Sequence, residues 1–184
     1  MLRTRVGYTG GTKPEPTYYA LGDHTETLEV DYDPRVIDYA KLLEIFWTSH
    51  SPVARRGNPQ YKAAVFYRTP DERELAERSK AEIERARGVP VTTELLPAGR
   101  FYRAEDYHQK YYLRRHADLM RVLSDLHRTE EALTDSTLAA RLNGLAGRHG
   151  DWDGVARSAE FAQAEAGLRE KLVNAARAAF GADR

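Results

Sequence analysis

No cysteine occurs among the 184 residues. These residues therefore supply no disulfide, no thiolate metal ligand and no thiol nucleophile, and no thiol reports the redox compartment. An excess of one charge is missing as well: 28 Lys and Arg balance 28 Asp and Glu, with the two signs interspersed. A phosphate backbone needs a basic footprint, so nucleic acid is not expected as a partner. No run approaches the roughly 20 apolar residues that span a bilayer, and the N-terminus lacks the apolar core of a signal peptide. A soluble cytoplasmic protein without membrane association is the expectation. The chain also lacks G-x-G-x-x-G, a Walker loop, G-x-S-x-G and H-E-x-x-H, which leaves dinucleotide, phosphate, serine-hydrolase and zincin chemistry without support. Its six histidines, His24, His50, His108, His116, His127 and His149, show no ligand spacing, and no metal is expected.

What the chain does have is a 41% hydrophobic composition, enough for one main domain with a real core. Leu2, Thr4, Val6 and Tyr8 alternate with Arg3, Arg5 and Gly7, the period of a half-buried strand. A second strand, His24 to Tyr32, puts His24, Glu26, Leu28, Val30 and Tyr32 on one face, so Glu26 shares an apolar side. Asp31 and Asp33, near its end, read as solvated or capping residues. Tyr39, Ala40, Leu43, Phe46 and Trp47 recur at helical spacing. After the turn-like Arg56-Gly57-Asn58-Pro59, the run Tyr61 to Tyr67 reads as a buried strand and Pro70 to Arg87 as a polar helix. Val91 to Leu96 reads as a strand and Ala104 to His127 as one helix. The order is β-β-α-β-α-β-α. Beyond Thr129 the composition turns to Ala, Leu, Arg and Glu with helical spacing from Phe161 to Phe180, and glycines between Gly144 and Gly154 mark a break. The expected organisation is a domain over residues 1–128 and a helical extension over 129–184, in the α+β class, with helices against a mixed sheet in a two-layer sandwich.

Five ordered segments carry the chemistry. Thr4-Arg5-Val6-Gly7-Tyr8-Thr9-Gly10-Gly11 with Pro16-Thr17-Tyr18 comes first, then Gly22-Asp23-His24-Thr25-Glu26. Phe46-Trp47 with His50 and Pro52 follows, then Gln60-Tyr61, and last Tyr102 with Ala104-Glu105-Asp106-Tyr107-His108-Gln109 and Tyr111. In order these resemble the T-R-V-G-Y-x-G-G, P-T-Y, G-x-x-x-H-x-E (here in shortened form), F-W-x-x-H-D-P, Q-Y and Y-A-E-D-Y-H-Q-x-Y segments of the A-type peptide methionine sulfoxide reductases.

That resemblance implies a ferredoxin-like plait and the reduction of methionine S-sulfoxide, a repair of proteins under oxidative stress. In the family a cysteine attacks the sulfoxide sulfur and becomes a sulfenic acid, while a carboxylic acid and tyrosine hydroxyls hold and protonate the oxygen. A sulfoxide oxygen leaves only when protonated, and a carboxyl donates a proton when burial raises its pKa. By motif position Glu26 would be the acid and Tyr8 and Tyr61 the hydroxyl donors, with His108 and Tyr111 supporting the pocket. No cofactor is bound in the family; thioredoxin or another thiol regenerates the enzyme, and the other partner is methionine sulfoxide in an oxidised protein.

Three departures modify that expectation. The family's first strand and helix, with its Cys-Phe-Trp, would precede Leu2, upstream of Met1, so this chain by itself is expected to be inactive. Ser51 stands where the family has Asp, and the segment between Asn58 and Gln60 is shorter than usual. No recycling cysteine follows Tyr111. Two other functions compete with a reductase whose thiol lies upstream: a homologue that binds sulfoxides or oxidised peptides without reducing them, and a structural interaction module. A sheet short of one strand favours self-association through its open edge.

Overall fold

The structure is a computed structural model that describes residues 1–53 and 59–181. Its elements follow the expected order with one addition. Strands β1 (Arg3–Thr9) and β2 (Thr25–Asp31) precede helix α1 (Tyr39–Ser49). Strand β3 (Ala64–Tyr67), helix α2 (Pro70–Arg87), and strands β4 (Glu94–Pro97) and β5 (Tyr102–Arg103) come next. Helices α3 (Ala117–Leu126), α4 (Glu130–Asp135), α5 (Thr137–Ala146), α6 (Trp152–Ala156), α7 (Ala159–Gln163) and α8 (Ala166–Phe180) close the described chain. This is an α+β fold with mixed sheets: β1 lies between β2 and β5, antiparallel to β5, while β3 and β4 form a parallel pair. The chain divides into two compact units.

The first unit comprises Val6–Leu28 and Tyr32–Ala104. Helix α2 forms where local signals agree. Thr69 Oγ1 accepts from the Glu72 amide, Pro70 opens the first turn beside Asp71 and Glu72, and Arg85 and Arg87 occupy the last. Gly88 then ends it in the left-handed region at φ 66°. Leu43, Trp47, Val65, Ala76 and Val91 make one buried cluster, tied by the Trp47 indole N–H donating to Ser79 Oγ at 3.0 Å. A second cluster gathers Tyr8, Leu21 and Ala104, with Val6, Tyr18 and Tyr102 packed on it.

The expected strands from Tyr61 and Val91 both begin later, for one reason. The Val91 amide donates to Glu84 Oε1 at 2.9 Å and the Thr92 amide to Pro52 O at 2.9 Å, so pairing with β3 starts only at Ala64 opposite Glu94. Tyr61 instead closes a 3-10 turn, Pro59–Tyr61. The turn expected at Arg56-Gly57-Asn58 and the shortening next to it lie outside the described residues.

The second unit comprises Met1–Arg5, Glu29–Asp31 and Glu105–Arg184. Its core is leucine-rich: Leu113, Leu119, Leu123, Leu138, Leu142 and Leu172 are all buried, so residues before and after 129 share one core. Arg3 and Arg5 form an ion-pair network with Asp31, Glu29 and Asp135. Arg5 Nη2 lies 2.6 Å from Glu29 Oε2, and Arg3 Nη1 lies 2.8 Å from Asp135 Oδ2. Glu160 accepts from Ser136 Oγ at 2.5 Å and from the amides of Thr137 and Leu138 at 2.9 and 2.8 Å, satisfying the start of α5.

The single helix expected over Ala104 to His127 is broken into two 3-10 turns and α3. Gln109 is extended and Lys110 sits in the left-handed region at φ 52°. That conformation goes with burial of the Lys110 ammonium, which donates to Thr4 O at 2.5 Å and Thr134 O at 2.7 Å. The expected helix from Phe161 to Phe180 is likewise interrupted, where Ala164 is extended between α7 and α8. No helix among the described residues is long and apolar enough to cross a membrane.

Candidate active site

The Gly10 to Lys13 loop that follows β1 is shaped by two neighbours in sequence, Asp23 and His24. Asp23 accepts from the Thr12 amide at 2.9 Å, from Thr12 Oγ1 at 2.9 Å and from the Lys13 amide at 3.2 Å. These donors, led by the Thr12 amide, pull its carboxyl down to about 2. His24 is buried; its Nδ1 accepts from the Gly11 amide at 3.2 Å, and its Nε2 meets Lys13 O at 2.8 Å. One acceptor and one donor define the neutral Nε2–H tautomer. Gly10 needs its freedom for φ 83°, and a Cβ on Gly11 would lie 2.6 Å from both Asp23 Oδ1 and the His24 amide nitrogen.

This loop returns the chain into β2, where Glu26 stands two residues beyond His24. Glu26 is exposed, and Leu28, on the same side by alternation, is 58% exposed. The expectation that Glu26 sits on a covered apolar face is therefore corrected: alternation aligns these side chains, but no described element buries them. Glu26 is instead held by Gln60, whose Nε2 donates to Glu26 Oε1 at 2.5 Å.

Next to Gln60, Tyr61 is 43% exposed. Its partial burial first, then the negative charge of Glu26 and a hydrogen bond with Tyr18, push its phenol above the ordinary value. All three favour the neutral, proton-bearing hydroxyl that a donor must be. Tyr18 packs in turn on the cluster that holds Tyr8, which is 2% exposed. Tyr8, Tyr18, Tyr61, Gln60 and Glu26 thus form a connected set within one unit.

His108 and Tyr111 belong to the other unit. His108 Nε2 lies 3.9 Å from Glu105 Oε2, with its ring 4.2 Å from that of Tyr107, and Tyr111 is exposed with its ring 5.6 Å from Tyr112. Gln60 and Tyr18 are the members that motif reading left without a role, although each is a quoted residue of its motif. Among the described residues no group of three or more His, Asp or Glu side chains is arranged to hold a metal. The set contains a carboxyl, a carboxamide and phenol hydroxyls, and the sequence supplies no thiol.

An α+β fold with mixed sheets thus carries, within one unit, an acid, a carboxamide and three tyrosines on a strand-glycine loop-strand frame. The model of the peptide methionine sulfoxide reductase family matches residues 1–139. Peptide methionine sulfoxide reductase A5 of Oryza sativa subsp. japonica is 45% identical over 152 residues, covering 79% of this chain and 59% of that protein. The crystal structure of Mxr1 from Saccharomyces cerevisiae in reduced form aligns at a TM-score of 0.57 with 26% identity, over 62% of this chain and 71% of that one. Methionine sulfoxide reductase A of Corynebacterium diphtheriae aligns at 0.51 with 34% identity, over 62% and 63%. The chain belongs to the peptide methionine sulfoxide reductase family. It spans about three fifths of the length of the curated relatives it matches, and it carries no cysteine.

Proposed function

We propose that this chain serves the reduction of methionine S-sulfoxide in oxidised proteins as the part that binds and protonates the sulfoxide oxygen, the thiol coming from outside these 184 residues. The observation that carries this reading is the set in which Gln60 holds Glu26 next to Tyr61. Tyr61 and Tyr8 donate hydrogen bonds to the oxygen, and Glu26 delivers the proton. In this reading the two sheets are parts of one ferredoxin-like plait whose first strand and helix bear the thiol. That thiol adds to the sulfoxide sulfur as the oxygen takes up a proton. The methionine S–O bond and the new S–S bond then break as the hydroxyl passes to the thiol sulfur, leaving the thioether and a sulfenic acid, and a second thiol, from thioredoxin or another reductant, displaces that hydroxyl as water to form a disulfide. Because Glu26 is exposed here, ligand or thiol-bearing segment must supply the desolvation that makes a carboxyl a good acid.

The lack of cysteine favours a second reading, binding of oxidised peptides without reduction. Both readings predict that a peptide with methionine S-sulfoxide perturbs Glu26, Gln60 and Tyr61 in an NMR titration of the 184-residue chain, and that Glu26→Gln with Tyr61→Phe abolishes the effect. Both predict no conversion to methionine with dithiothreitol. Absence of binding at millimolar peptide, or binding that survives the double substitution, overturns the recognition site. The intact mass of the protein isolated from its cells separates the two: added mass containing a cysteine supports the reductase, and a mass matching 184 residues supports binding alone.

A further inference from the structure

We propose that Gln60 is a positioning residue for Glu26, fixing one carboxyl oxygen so that the other faces the sulfoxide; this inference rests on the recognition site above. The geometry is specific. The Gln60 carboxamide and the Glu26 carboxyl meet at 2.5 Å, 34 residues apart in sequence. Glu26 is exposed on β2. A glutamate there has three rotatable side-chain bonds, and freezing them costs conformational entropy. A ligand that had to order Glu26 would bind correspondingly more weakly, so a residue that orders it beforehand raises affinity without touching the ligand.

Gln60 and Tyr61 are consecutive residues of one turn, Pro59–Tyr61, so one backbone segment places both. The two residues that address Glu26 and the oxygen therefore move as one piece. A carboxamide suits the task because it donates to a carboxylate and, with its amide turned, bonds a neutral carboxyl as well. It can hold Glu26 before and after proton transfer, which a second carboxylate does not do across neutral pH.

The test titrates the 184-residue chain with methionine S-sulfoxide peptide by NMR. Gln60→Ala is expected to weaken binding about tenfold, the 1.4 kcal/mol that matches the ordering cost. On a Glu26→Ala background it is expected to add nothing, which a merely structural loss would not mimic. Gln60→Glu supplies a signature in pH. Two carboxyls bridge only while they share a proton, so this variant is expected to bind near the wild-type level below about pH 5 and to lose binding by pH 7. Additive losses, or a Gln60→Glu profile parallel to wild type, overturn the proposal. Should wild type bind no sulfoxide, the recognition site fails but Gln60 is still tested in the free protein. Its side-chain amide resonances are expected to shift and lose order in Glu26→Ala, and unchanged resonances overturn the positioning role.

Discussion

Lys110 offers the sharpest test of the energetics, because it is a buried cation whose ammonium is held by named acceptors. It is 4% exposed, and its ammonium donates to Thr4 O, Thr4 Oγ1 and Thr134 O. Burial lowers its pKa from 10.5 to about 8; Asp135 opposes the shift, and Arg5 and Arg114 add to it. The folded-state value lies below the unfolded one. Between about pH 8 and pH 10.5 the unfolded chain holds a proton that the folded chain has released, so stability rises with pH across that window and is flat below it. The full effect of a shift of this size is on the order of 3 kcal/mol, of which about 2–3 kcal/mol is gained by pH 10. Lys110→Met keeps the length of the side chain and removes the titrating group. Denaturant unfolding of both proteins at pH 7 and pH 10 therefore has a defined outcome: wild type gains about 2–3 kcal/mol relative to the variant. Taking the difference cancels the tyrosines and other lysines that titrate in both. Parallel stability profiles would refute the assignment of Lys110 as a desolvated cation.

Three further outcomes follow from single contacts. Gly11→Ala places a methyl 2.6 Å from the His24 amide nitrogen, a backbone atom that cannot swing away; a loss of about 1–3 kcal/mol in thermal or denaturant unfolding is expected, and an unchanged melting temperature would contradict the close approach. Asp23, held down to about 2 by Thr12 and Lys13, has a folded-state value below its ordinary one. Its contribution is present above about pH 4 and lost as pH falls toward 2. The Thr12 amide resonance should follow that titration and stop doing so in Asp23→Asn. Glu160→Ala strips acceptors from Ser136 Oγ and from two amides at the start of α5; a loss of about 1–3 kcal/mol is expected, with hydrogen exchange accelerating first at Thr137 and Leu138.

Elements whose signals are local were legible in the sequence. Helix α2 carries its own start and stop in Thr69, Pro70, Asp71, Glu72 and Gly88, and its bounds, Pro70–Arg87, agree with the reading from sequence. Helix α1 begins where periodicity places it, with Asp38 accepting from the Lys41 amide. The failures share a cause of another kind. Ala104 to His127 has apolar spacing good enough for one helix, yet Lys110 turns left-handed where its ammonium meets Thr4 and Thr134, 106 and 24 residues away. The strand expected from Val91 loses its first residues because Glu84 and Pro52 take the amides of Val91 and Thr92. Thr4, Thr134 and Pro52 lie too far along the chain to mark local periodicity, and the Glu84 carboxylate is a side-chain acceptor that periodicity does not register.

The candidate site divides the same way. Motif order identified Glu26, Tyr8 and Tyr61 as a group, and Tyr18 and Gln60 connect them. Alternation along β2 correctly puts Glu26 and Leu28 on one side, but it says only that two side chains point together, not that anything covers them. Coverage is a property of whatever packs on that side, and both residues are exposed. An acid in water and an acid under an apolar lid do different chemistry, so burial expected from strand periodicity is a weaker basis for an acid's role than a named partner such as Gln60. The hydrogen bond from Gln60 constrains Glu26 whether or not a lid arrives, and on this reasoning it is orientation, rather than desolvation, that these residues contribute on their own.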